Sequence, residues 1–291
     1  MNVQEFAVTT VRPDTLDWLD RADGGPTARE AHWHTLHGDA ALAAWLAPFA
    51  PTHLYFGSEF CEHLLPSTRS LREVLARVQA SNLRFALLTP IASPEVLHGL
   101  DALLPLLPDG AEVVVNDWGV AELVATRFPA LRPLAGRVLC RMVRDPRLND
   151  GWASHCGLGL DSPALQAVLR RLRIERVEID MPLFTDAAAL ARVPLLNSVH
   201  LPYFCVAKGR MCRPGSLAIE GPERFAVGRR CRKECLTLAA TTARTRTDDD
   251  WETVEIGNSI FGRHSAEMLE TLKAAVAQGR VPRLVVAGEA Q

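Results

Sequence analysis

The chain has 291 residues, 48% of them hydrophobic, enough to bury one large α/β core or two ordinary ones. A formal net charge of −2 excludes wholesale electrostatic attraction to nucleic acid or to an anionic membrane surface. No run approaches the ~18 consecutive apolar residues of a membrane helix, and the acidic N-terminal stretch lacks the basic-then-apolar order of a signal peptide, so a cytoplasmic protein with reduced thiols is expected.

Phe6 to Val11 is the first expected strand, followed by one long helical stretch from Ala28 to Phe49. His53 to Phe56 is a short buried strand ending at Gly57. Thr68 to Ala80 predicts a helix, with Leu71, Val74, Leu75 and Val78 on one face. The alternation continues with strand Arg84 to Leu88, helix Pro94 to Leu107, strand Glu112 to Val115, helix Gly119 to Phe128 and strand Leu134 to Cys140. Ser162 to Arg171 is a helix opened by Ser162 as cap and Pro163 at its first position. Strand Arg176 to Ile179, a short helix near Asp186 to Ala191, and strand Ser198 to Phe204 follow. Trp251 to Phe261 predicts a hairpin, Ser265 to Ala277 a helix and Leu284 to Val286 a last strand.

Strands alternating with helices predict βαβ units and a parallel sheet. About eight strands over ~250 residues fit a (β/α)8, TIM-barrel-like α/β fold better than an open sheet. A single domain over residues 1–291 is expected, with the stretch 205–250 as a cysteine- and arginine-rich excursion after a late strand. Neither G-x-G-x-x-G nor G-x-x-x-x-G-K-[ST] occurs, which removes the usual nucleotide fingerprints.

Four of the seven cysteines fall in that excursion, as Cys205-x6-Cys212-x18-Cys231-x3-Cys235. Thiols between glycines and prolines can converge on one soft site, zinc or iron–sulfur. The basic residues Arg210, Arg213, Arg229, Arg230, Arg232 and Lys233 are expected to favour thiolates; Arg229 to Lys233 could equally touch RNA or an acidic partner. Zinc knuckles usually come as paired C-x2–4-C, and only one such pair is present. The C-x3-C-x2-C of radical S-adenosylmethionine enzymes fails at Leu236, Thr237 and Leu238. Buried, unligated thiols suit Cys140 and Cys156 better than Cys231 and Cys235, which sit among charges. Cys61, after the strand end in YFGSEFC, can reach the same face of a barrel as the end of Ser198 to Phe204. The fourth ligand is left open between Cys61 and Cys205.

Four stretches carry a resemblance. They are Tyr55 to Cys61, Asn116 to Val120, His200-Leu201-Pro202 leading to Gly209-Arg210-Met211-Cys212, and Arg230 to Cys235. Together they resemble the collagenase-like peptidase family U (number thirty-two), and within it the short UbiV-type proteins of oxygen-independent ubiquinone biosynthesis. The resemblance implies a [4Fe–4S] cluster on Cys61, Cys212, Cys231 and Cys235, with Cys205 as alternative fourth ligand. It also implies oxygen-independent hydroxylation of an aromatic quinone precursor, or of RNA bases as in relatives, beside a UbiU-like partner subunit.

Other candidates are weaker. His32, His34 and His37 fall in a helical stretch where positions 32 and 34 do not share a face. Asp248, Asp249 and Asp250 suit a solvated loop, and His200 a structural role or a hydrogen bond near the cysteines. Glu59, Asn116, Asp117 and Glu178 are expected as polar lining at the barrel mouth. A hydrolase or peptidase with structural cysteines, and a zinc-stabilised scaffold, are the competing functions; no G-x-S-x-G or H-E-x-x-H is present.

Overall fold

A computed structural model describes residues 4–22, 24–140, 159–181, 187–209, 211–225, 231–241 and 253–289. In chain order these form β1 (Glu5–Thr10), α1 (Asp17–Ala22), α2 (Pro26–His37), α3 (Ala40–Leu46), β2 (His53–Gly57), α4 (Thr68–Ala80), β3 (Arg84–Leu88), α5 (Pro94–Leu103), β4 (Glu112–Val115), α6 (Trp118–Arg127) and β5 (Arg132–Ala135). Then come α7 (Pro163–Arg171), β6 (Arg176–Asp180), α8 (Ala187–Ala191), β7 (Leu196–Leu201), β8 (Tyr203–Lys208), β9 (Ala240–Thr241), β10 (Thr253–Ile256), β11 (Ser259–Arg263), α9 (Ala266–Ala277) and β12 (Arg283–Ala287).

Eight parallel strands close into a barrel in the order β1-β12-β7-β6-β5-β4-β3-β2. Burial on both faces explains their near-continuous apolar runs, such as Val113 to Val115 in β4. Two cores result. Phe6, Leu54, Leu87, Val113 and Val177 face the surrounding helices, while Ala7, Tyr55, Ala86, Leu88, Val114, Leu134 and Val285 fill the barrel interior. The helices start where short polar side chains cap them. Ser67 and Ser70 form a reciprocal capping box on α4, and Ser93, Asp117 and Ser265 cap α5, α6 and α9. Leu71, Val74 and Val78 are the buried face of α4.

Four expectations change. The strand expected over Ser198 to Phe204 is two, since β7 ends at Leu201 in the barrel and β8 starts at Tyr203 in a second sheet. The stretch Ala28 to Phe49 is two helices, because Gly38 ends α2 in the left-handed conformation (φ 65°) and Asp39 caps α3 through Leu42 N–H. The strand expected over Leu134 to Cys140 ends at Ala135, and Gly136 turns the chain. The hairpin expected over Trp251 to Phe261 is described from Thr253 on, as β10 and β11, and lies outside the barrel. With β8 and β9 it makes a separate four-stranded sheet, in the order β8-β11-β10-β9. Asp248, Asp249, Asp250, Cys156, Arg210, Arg229 and Arg230 lie outside the described residues.

Gly57 sets the exit of β2 towards Cys61. Its φ is +116°, and an added Cβ would lie 2.6 Å from the Leu88 carbonyl oxygen. Backbone of this kind costs a side-chain-bearing residue about 1–3 kcal/mol. Gly57→Ala is therefore expected to lose at least about 1 kcal/mol in chemical denaturation; an unchanged midpoint would show that the loop yields without cost.

Candidate functional site

The C-terminal ends of the barrel strands face the second sheet, and a cleft of about 120 Å3 lies between them. Gly57 to Cys61, Arg137 and His200 line it from the barrel side, and Tyr203, Cys235 and Ile256 to Ser259 from the other.

Short-range polar bonds shape the loop that carries Cys61. Ser58 Oγ accepts from the N–H groups of Phe60 (3.3 Å) and Cys61 (3.2 Å). The turn Gly57 to Cys61 is tied to the second sheet by Asn258, whose Nδ2 donates to the carbonyls of Phe60 (2.8 Å) and Gly209 (3.0 Å). Gly209 N–H returns a bond to the Asn258 carbonyl (2.7 Å), and Arg213 N–H donates to the Gly257 carbonyl (3.1 Å). One two-residue turn, Gly257-Asn258, thus anchors the approaches to Cys61 and Cys212. It also packs against Cys235, whose Sγ would lie 3.7 Å from a Cβ at Gly257.

The four thiols that the resemblance implies lie within electrostatic reach of one another. Burial raises the Cys61 pKa above its ordinary value, and Cys231 and Cys212 raise it further. Burial does the same at Cys212, with Cys231 and Glu234 adding to it. Cys235 is pushed up to about 12 by burial and then by Cys212, Cys61 and Cys231. The basic run was expected to favour thiolates; desolvation and mutual repulsion act the other way, because the thiols are partly out of water and crowded. Among the described residues no group of three His, Cys, Asp or Glu side chains is drawn together tightly enough to hold a metal ion. Cys231 Sγ accepts the Lys233 N–H at 3.3 Å, and Lys233 turns there with φ 59°. A Cβ at Gly215 would meet Cys212 Sγ at 3.4 Å, so small residues leave room beside two of the sulfurs.

Cys205 lies apart. Its N–H donates to Asp180 Oδ2 (3.1 Å), and it packs with Phe60, Val254 and Phe261. Cys140 is a buried thiol donating to the Ala135 carbonyl, as expected for a small hydrophobe.

No family model matches the chain, and no curated protein matches it.

Sequence reasoning missed the ionic framework beneath the thiols. Arg137 binds Glu59 through Nη2 (2.6 Å) and Nε (2.8 Å) and Asp180 through Nη1 (3.1 Å). Burial pushes the Arg137 pKa down, but Glu59 and Asp180 outweigh it and hold the guanidinium charged. Asn116, expected as lining, instead braces this corner: its Oδ1 accepts from Val138 N–H (2.9 Å) and its Nδ2 donates to the Thr89 carbonyl (2.9 Å). Asp117 is the cap of α6. Glu178 sits inside the barrel, bonded to His200 and Tyr55. Among the helix histidines, His34 is exposed, His32 stacks on Trp18, and His37 is buried against Trp33 with its pKa lowered to about 4, first by burial. His32 and His37 form an aromatic packing layer with Trp18 and Trp33.

Proposed function

We propose that this chain is an iron–sulfur protein whose Cys61, Cys212, Cys231 and Cys235 hold a [4Fe–4S] cluster at the barrel mouth. In this reading it serves oxygen-independent hydroxylation of an aromatic quinone precursor, as an accessory or electron-transfer subunit beside a UbiU-like partner. The observation that supports the cluster is that one thiol from a barrel strand end and three from a distant, glycine-containing stretch lie within electrostatic reach of one another. Such a set of soft donors suits iron–sulfur chemistry. Four crowded thiolates repel, and a bound cationic centre removes that repulsion. The Lys233 N–H on Cys231 Sγ is the kind of hydrogen bond that tunes a cluster. When bound, the cluster would supply one-electron transfer. This chain's residues would supply the ligands, the glycine clearances and the anchoring turn Gly257-Asn258.

A zinc site with four cysteine ligands uses the same donors, so a zinc-stabilised scaffold is the second reading. A cysteine peptidase needs a thiol of lowered pKa, and Cys61 is shifted the opposite way. No helix of the described residues is long and apolar enough to cross a membrane.

The test is anaerobic purification with a visible spectrum and counts of iron, sulfide and zinc. Brown protein with roughly four irons and four sulfides per chain is expected, lost in Cys61→Ser and kept in Cys205→Ser. One zinc per chain and no iron would replace the cluster with a scaffold site. Colourless, metal-free protein after attempted reconstitution would sink both.

A further inference from the structure

The cleft has a floor that the thiols do not use. His200 lies there, 3% exposed, with Nε2 2.8 Å from Glu178 Oε2. Glu178 is fully buried, and its Oε1 accepts the Tyr55 hydroxyl at 3.0 Å. Tyr55 in turn accepts from Arg283 Nη1 at 2.5 Å. Burial raises the Glu178 pKa, but the His200 hydrogen bond and charge, Arg283 and Ser198 outweigh it and hold the carboxyl below its ordinary value. With His200 neutral, the Tyr55 hydroxyl, Arg283 and Ser198 still favour the Glu178 carboxylate, and a carboxylate only accepts. The hydrogen of a neutral His200 must then sit on Nε2, which leaves the lone pair on Nδ1. The one hydrogen bond of the His200 ring among the described residues is that at Nε2. An acceptor held this way, in a buried ring lining a cleft, is satisfied when a ligand donates to it.

We propose that the floor of the cleft is an acid–base site: a ring-sized molecule binds through an ionisable O–H or N–H, and His200 Nδ1 takes that proton. The ligand's O–H or N–H bond breaks and its electron pair stays on the ligand atom. The new N–H forms at Nδ1, and Glu178 balances the imidazolium. The other charged side chains facing the cleft are Glu59 and Arg137, which are paired with each other, and Arg137 also binds Asp180. Tyr55 and Arg283 act as positioning residues by fixing the Glu178 carboxylate. A cavity of roughly 150 Å3 accepts benzene, so about 120 Å3, open at one end, takes one ring with a substituent pointing outward. Phe60, Leu64 and Phe261 supply its apolar walls. Cys61 and Cys235 line the same cleft, but the step uses no thiol, so the test below reads His200 rather than the cluster.

The test uses para-nitrophenol, whose anion alone absorbs strongly in the violet. It is added to the purified protein at a pH one unit below the phenol's own pKa, and difference spectra are taken against protein and phenol separately. A saturable nitrophenolate band is expected in the wild type. His200→Asn should abolish the band, and Glu178→Gln should weaken it about tenfold, the equivalent of one pKa unit. Nitrogen NMR of histidine-labelled wild type should show the Nε2-protonated tautomer at His200, whichever variants fold. Absence of the band in wild type, an equal band in His200→Asn, or an Nδ1-protonated His200 would each overturn the proposal.

Discussion

Arg137→Met is expected to cost about 3–5 kcal/mol of folding free energy, the usual penalty for removing one partner of a buried ion pair. The side chain is 10% exposed, and its two carboxylate partners, Glu59 and Asp180, are 1% and 2% exposed. Methionine fills much of the same volume, so the loss reports charge rather than a cavity. Glu59 would keep only the Arg137 backbone N–H at 3.2 Å and a long contact to Asn116 at 3.5 Å. Asp180 would keep the Cys205 N–H. Against a total stability of about 5–15 kcal/mol, the variant sits near the edge of folding. Chemical denaturation of wild type and variant measures the loss. Adding Glu59→Gln and Asp180→Asn to Arg137→Met should return part of it, because neutral amides are cheaper to bury than unpaired carboxylates. A loss under about 1 kcal/mol would mean that water already reaches the pair.

This clamp also explains how much of the site could be read from the chain alone. The barrel was legible because HLYF, RFALL and EVVV are short apolar runs between capped helices, a pattern set by burial on both faces of a parallel strand. The hairpin was equally visible as a hairpin. Its alternation cannot say which sheet it joins, and it pairs with β8, some fifty residues earlier in the chain, through Phe261 and Cys205. The thiols were legible because cysteines are rare and their spacing is unusual. The charges beneath them were not, although a signal existed. In β6, Arg176, Glu178 and Asp180 alternate on one face of a strand whose residues are all buried, and buried charges must be paired. Their partners Glu5, His200 and Arg137 come from three other places in the sequence. Only closure of the barrel brings them together.

A second concentration of buried charge lies at the opposite end of the barrel, and Arg283→Met is expected to cost about 3–5 kcal/mol there too. Arg283 is 1% exposed. It binds Glu112 through Nη1 (2.6 Å) and Nη2 (3.0 Å), Glu5 through Nε (2.9 Å), and the Tyr55 hydroxyl through Nη1. His53 lies 2.9 Å away and is held neutral, its pKa lowered to about 3 first by burial and then by Arg283. Glu5 retains Arg176 at 2.6 Å, so Glu112 bears most of the loss. The pH dependence separates charge from packing. In wild type, burial raises the Glu5 pKa, but Arg283 and Arg176 outweigh it and lower it overall. That contribution is complete above the unfolded value of about 4.3 and is lost as pH falls through the lower folded pKa. Without Arg283 the buried carboxylates are penalised while ionised and relieved on protonation. The difference between wild type and Arg283→Met should therefore be largest at neutral pH and shrink as pH falls through about 4. Denaturation midpoints at several pH values measure it. A difference that stays constant with pH would assign the loss to packing around the Arg283 stem rather than to its charge.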